Sequence, residues 1–114
     1  VKCWRRFMVG TDYSGYEDVE KTGWHRKLHI YQVPLYYIEY GLAQLGAVQV
    51  WAKSLNDPAE ALKNYCAALS LGGTRSLPDL FSAAGANFSL DASTLQSAVD
   101  LMMSQIEVNQ RAMS

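Results

Sequence analysis

The run "PLYYIEYGLAQLGAVQVWAKSL", residues 34–55, constrains the fold more than any other stretch. Pro34 suits the first turn of a helix, where its missing N–H is not needed. Behind it, Leu35, Ile38, Leu42 and Leu45 recur at steps of three and four, and Tyr36, Tyr40, Ala43 and Ala47 make a second stripe. A helix to about Leu55 that is apolar on nearly every side is expected to be deeply buried. Gly41, Ala43, Gly46 and Ala47 thin it, so a neighbouring element can approach closely. Its most apolar part, 42–51, is broken by Gln44, Gly46 and Gln49. That falls short of the ~18 apolar residues of a membrane span, so no membrane association is expected.

Helical punctuation continues on both sides. Residues 1–15 are ambiguous: Trp4, Phe7 and Met8 fit the end of a helix, and "GTDYSG" reads as a loop. Tyr16 to about Leu28 is charged and helical in pattern, with Ser14 a candidate N-cap. "HIYQVP" is expected to be extended, because Pro34 biases Val33 away from the α region. In "NDP", Asp57 is a good N-cap and Pro58 a good first residue. The helix 58–71 places Leu62, Tyr65, Cys66 and Leu69 on one side and stops at "GGT". "SLPDLFSAAG" is a short helix capped by Ser76 and ended by Gly85. The last helix, about 92–112, starts from Asp91 or Ser93 and is amphipathic through Leu95, Val99, Met102, Ile106 and Val108. Nothing alternates with period two over a useful length, so the class is all-α, in a single segment spanning 1–114.

Ten basic and eleven acidic residues nearly cancel, and no basic stripe appears. Nucleic acid is therefore not expected as a partner. Cys3 and Cys66 are too few and too far apart for a disulfide framework or a metal spacing. They read as reduced thiols of a cytoplasmic protein.

Two constellations carry chemistry. His25 and His29, in "HRKLH", would share one face of a continuous helix, as zinc ligands do. The specific signal is H-E-x-x-H, and its glutamate position holds Arg26 here. Two unrelated histidines are the better account, and no metal site is expected within the chain. The second group is His29 with Tyr31, Tyr36, Tyr37 and Tyr40. Its dull reading is a set of core aromatics whose hydroxyls reach water or backbone. Its functional reading is a wall of donors, with Tyr36 and Tyr40 aligned at i, i+4. Phenols stay protonated at pH 7, with an unperturbed pKa near 10, and can stabilise an oxyanion as charge develops on a carbonyl. Glu39, inside the same run, reads as an ion-pair or hydrogen-bonding residue. "LSLGGTRS" reads as a turn without a phosphate-binding lysine.

"WHRKLHIYQVPLYYIEYGLAQLGAVQVW", followed by "DPAEALKNYCAALSLGGTRSLPDLFSAAGANFSLD", resembles the C-terminal part of the oligoendopeptidase F family, zinc metallopeptidases related to thimet oligopeptidase. The likeness covers about residues 20–95 as an ordered set of motifs. It implies a helical fragment of a larger, mostly helical zincin-type catalytic domain that hydrolyses short peptides. The resemblance also implies that His29, Tyr36 and Tyr40 are catalytic donors to the substrate carbonyl and tetrahedral intermediate. Tyr37 is a rival for one tyrosine role, and Tyr31 and Tyr37 are candidate substrate contacts. Zinc is implied for the full-length parent. None is expected on this segment, which lacks H-E-x-x-H and the downstream glutamate. The expected partners are peptide substrates and the remainder of the catalytic domain. Alone, the segment is expected to be inactive and to self-associate through apolar faces left open. The competing reading is a stand-alone helical interaction module, or a non-catalytic remnant.

Overall fold

The structure, a computed structural model, describes residues 1–113. Seven α-helices form among the described residues, with no strand: α1 (Lys2–Phe7), α2 (Glu17–Thr22), α3 (Leu28–Tyr31), α4 (Tyr37–Asn56), α5 (Pro58–Leu71), α6 (Leu77–Ala83) and α7 (Ala92–Met113). Short 3₁₀ turns at Gly23–Arg26 and Gly72–Thr74 link some of them. The all-α expectation holds. None of these helices is long and apolar enough to cross a membrane. The chain divides into two compact units, Val1–Tyr37 and the part from Ile38 onward.

In the first unit, α1 and α2 are tied by one ion pair. Arg5 donates to both carboxylate oxygens of Glu20, at 2.6 and 2.8 Å. The Glu20 side chain is only 1% exposed, so a bidentate guanidinium is what makes its burial tolerable. The pairing holds the Glu20 carboxyl below, and the Arg5 guanidinium above, their ordinary values, chiefly through that hydrogen bond. Trp4 Nε1 donates to the Tyr13 hydroxyl at 3.3 Å, bringing the loop back onto α1.

Two local expectations fail here. Ser14 does not cap α2, which starts after Tyr16; its amide and hydroxyl both donate to Asp12 at 2.9 and 2.7 Å. "HIYQVP" is not extended, because Leu28–Tyr31 makes a helical turn closed by the Gln32 amide on the Leu28 carbonyl at 2.8 Å. Proline constrains only the residue before it, so the bias on Val33 does not reach back to His29.

The second unit follows the sequence closely. Asp57 accepts from the Glu60 amide at 3.0 Å, with Pro58 next in line. Ser76 accepts from the Asp79 amide at 3.4 Å, and its hydroxyl donates to Asp79 Oδ2 at 2.6 Å. Asp91 accepts from the Thr94 amide at 2.7 Å and from the hydroxyls of Ser89 and Ser93. That set of donors pushes its carboxyl far below the usual carboxylate range. At the end of α6, Gly85 takes φ +77°, and the amides of Gly85 and Ala86 reach the Ser82 and Phe81 carbonyls at 2.9 and 2.8 Å. Those two bonds are the pair of a Schellman motif, which needs a residue at ease in the left-handed region.

Gly46 sits where α4 meets α6. A Cβ there would lie 2.6 Å from Phe81 Cε1, so only glycine admits this approach without a shift. Phe81 in turn meets Phe88 edge to face at 5.1 Å. Gln49 completes the junction: its Nε2 donates to the Asn87 carbonyl at 3.1 Å, and its Oε1 accepts from the Asn87 amide at 2.8 Å. One side chain thereby pairs with both polar groups of a loop residue.

The helix over 34–55 begins three residues later than expected, at Tyr37. Leu35 takes φ +70°, which no helical run can pass through. Deep burial of α4 is also overturned, since Gly46 is its only buried residue. A helix apolar all round needs neighbours on every side, and most positions of α4 stay exposed. The predicted side of α5 stays open as well, with Leu62 and Leu69 63% and 61% exposed. The buried positions of α5 are Ala61 and Ala68.

Candidate functional site

The aromatic cluster of the first unit is assembled by two short turns. The chain bends through Val33–Tyr36, where the Tyr36 amide reaches the Val33 carbonyl at 3.1 Å. Leu35, left-handed and 88% exposed, is the pivot of this bend. Past it, the Tyr36 ring lies parallel to the His29 imidazole, 5.6 Å between centroids and 9° between planes. Tyr37, first residue of α4, meets the same imidazole edge on, at 5.2 Å and 72°. Lys27 Nζ lies 6.0 Å from the centroid of the Tyr37 ring, at the outer limit of a cation–π contact. His29 is half-buried, and both tyrosines are exposed. An imidazole and two phenols are thus grouped on an accessible surface, and all three can donate to an acceptor.

Tyr31 stacks on Trp24, at 5.8 Å and 25°. Tyr40 belongs to the second unit, one turn into α4. Alignment of Tyr36 with Tyr40 at i, i+4 requires one continuous helix, and Tyr36 precedes α4. Glu39 is exposed in the first turn of α4, a favourable place for a carboxylate beside the helix dipole.

His25 and His29 do not share a helix face. His25 lies in the 3₁₀ turn Gly23–Arg26, and Lys27, with ψ 84°, breaks the path to α3. The His25 ring rests on Trp24 instead, at 4.2 Å. No group of three His, Cys, Asp or Glu side chains suited to a metal ion occurs among the described residues.

Sequence reasoning missed Trp24, Lys27 and Leu35. Trp24 and Tyr31 are seven apart, a spacing that signals contact only on an unbroken helix. Nothing marks Leu35 as left-handed, since leucine rarely adopts that region.

An apolar groove of about 370 Å³ in the second unit is lined by α4, α5 and α6. Ala43, Gly46, Ala47, Tyr65, Leu69 and Phe81 line it. It contains no charged group and is suited to apolar contact rather than to chemistry. No protein-family model matches this chain, and no curated protein or solved structure matches it.

Proposed function

We propose that this chain is the C-terminal part of the catalytic domain of a zinc-dependent oligoendopeptidase, related to the oligoendopeptidase F family. In this reading His29, Tyr36 and Tyr40 donate hydrogen bonds to the carbonyl of a short peptide and to the oxyanion that forms from it. Tyr31 and Tyr37 contact the substrate chain. The observation that carries the reading is the gathering of the Tyr36 and Tyr37 rings around His29, within an ordered series of motifs that resembles that family. Donors set in advance cost no reorganisation when charge develops.

In this reading a metal would be held by segments outside this chain, since H-E-x-x-H is not among its residues. The segment's share of the chemistry is orientation and donation, and by itself it is inactive. Exposed, unpaired Cys3 and Cys66 are compatible with a cytoplasmic setting.

The test pairs this chain with a longer polypeptide that also carries an H-E-x-x-H segment. The longer form should bind zinc and cleave short peptides, and this chain should do neither. Tyr40→Phe in the longer form should lower turnover by about 10²–10³; unchanged turnover would count against the assignment.

A second reading, a helical interaction module, is favoured by the exposed apolar side chains of α5 and α7, among them Leu62, Leu69, Leu95 and Met103. A monomeric chain in sedimentation at high concentration would remove its main support.

A further inference from the structure

Leu35 is the one non-glycine residue with positive φ among the described residues. For an L-residue with a Cβ, the left-handed conformation is costly, and such outliers persist only where surrounding structure holds them. Packing of Leu35 itself gives no reason, as its side chain is 88% exposed. What the conformation does is local. It turns the chain just after Pro34 and just before Tyr36, and the next ring lies parallel to the His29 imidazole in an offset stack, 5.6 Å between centroids. Tyr37 then contacts the same imidazole at a steep angle. The imidazole thus has one parallel and one edge-on ring as neighbours.

We propose that Tyr36 is a positioning residue for His29: the left-handed turn at Leu35 swings its ring face onto the imidazole and fixes the direction in which that imidazole presents its nitrogens. This rests on the reading of His29 as a donor. It adds to Tyr36 a task that belongs to the ring and not to the hydroxyl. Orientation of a donor matters because hydrogen bonds weaken steeply once misaligned. The ring task and the hydroxyl task separate cleanly by substitution, since phenylalanine keeps the first and loses the second.

The experiment is NMR on this chain, following the carbon-bound ring protons of His29. Through-space contacts between those protons and the Tyr36 ring are expected in the unsubstituted chain, with His29 resonances displaced by the tyrosine ring current. Tyr36→Phe should preserve both signatures. Tyr36→Leu should abolish the contacts and return the His29 resonances toward those of an unstacked histidine. Leu35→Gly should keep the stack, because glycine adopts positive φ freely. Leu35→Val should lose it, because a β-branched residue resists that region. The Trp4 indole N–H, hydrogen-bonded to the Tyr13 hydroxyl within the same unit, serves as the folding control, and each variant is read only by its His29 signals while this resonance stays in place. Tyr36→Leu with unmoved His29 resonances would overturn the proposal, as would Tyr36→Phe shifting them as far as Tyr36→Leu. Neither result depends on peptide cleavage, so failure here is distinct from failure of the donor role.

Discussion

The first and second units are built from the same residue types by opposite means. From Ile38 onward, helices start at Asp57, Ser76 and Asp91, each accepting a hydrogen bond from a backbone amide one turn ahead. Before it, α1, α2 and α3 have no side-chain cap and run six, six and four residues. Helices that short are not stable alone. They are held by an ion pair whose carboxylate is buried, an indole on a phenol hydroxyl and a cluster of stacked rings. The contrast teaches that local signals and distant contacts are exchangeable routes to a helix, and that only the first route is written along the chain.

The sharpest way to break this contrast is at the junction in the second unit. Phe81→Ala removes the ring that meets both Gly46 and Phe88, and should cost that unit about 2–3 kcal/mol, below the full cost for a core phenylalanine because Phe81 is only partly buried. Denaturant melts read at Trp51 would measure it. An unchanged midpoint would mean that α6 contributes little to holding α4.

Gly46→Ala tests the same contact from the other side. The added Cβ meets the Phe81 ring at 2.6 Å, and overpacking of this kind costs about 1–3 kcal/mol. Alanine is the better helix former by about 1 kcal/mol, so a net stabilisation in the same melts would show that the Phe81 ring simply moves aside.

Acid should act on both units. Glu20 and Asp91 have folded values below their ordinary ones. A carboxylate lowered on folding contributes stability above its unfolded pKa, near 4, and that contribution is lost as pH falls through the folded value. Both units should therefore weaken progressively below about pH 5. In a Trp51→Phe background, Trp4 and Trp24 report the first unit alone. There, Glu20→Gln should flatten the acid dependence while lowering stability at neutral pH. A dependence that survives the substitution would assign it to another group.

The smallest effect expected is a gain. Leu35→Gly relieves a left-handed leucine, worth about 1–2 kcal/mol, against a glycine entropy cost of about 0.5–1 kcal/mol. The first unit should become more stable by up to about 1.5 kcal/mol. A loss instead would show that the leucine side chain has a packing role in solution.

The second unit's design was legible residue by residue. Asp57–Pro58, Ser76 and Gly85 each do what their chemistry allows nowhere else so cheaply: accept an orphan amide, dispense with an N–H, or adopt positive φ. Pro34 misled in the first unit, because proline at a helix start is a permissive signal, and the left-handed residue that overrode it has no letter of its own. The candidate site was legible as a list of residues and not as an arrangement. His29 and the tyrosines stand out by type, but the grouping of His29 with Tyr36 and Tyr37, and the diversion of Tyr31 onto Trp24, depend on where two short turns point.

The sequence by itself determined the all-α class, the helix boundaries from Asp57 to the end of α7, and the thin strip on α4 that lets Phe81 approach. These follow from hydrogen-bonding and steric rules acting within a few residues, which any chain carrying those residues obeys. Tertiary structure alone decided that Glu20 would be buried against Arg5, that α4 would start after a left-handed leucine, and that two phenols would flank one imidazole. Each of these sets a local cost against a contact between residues that the sequence does not align, and no local rule can weigh that balance.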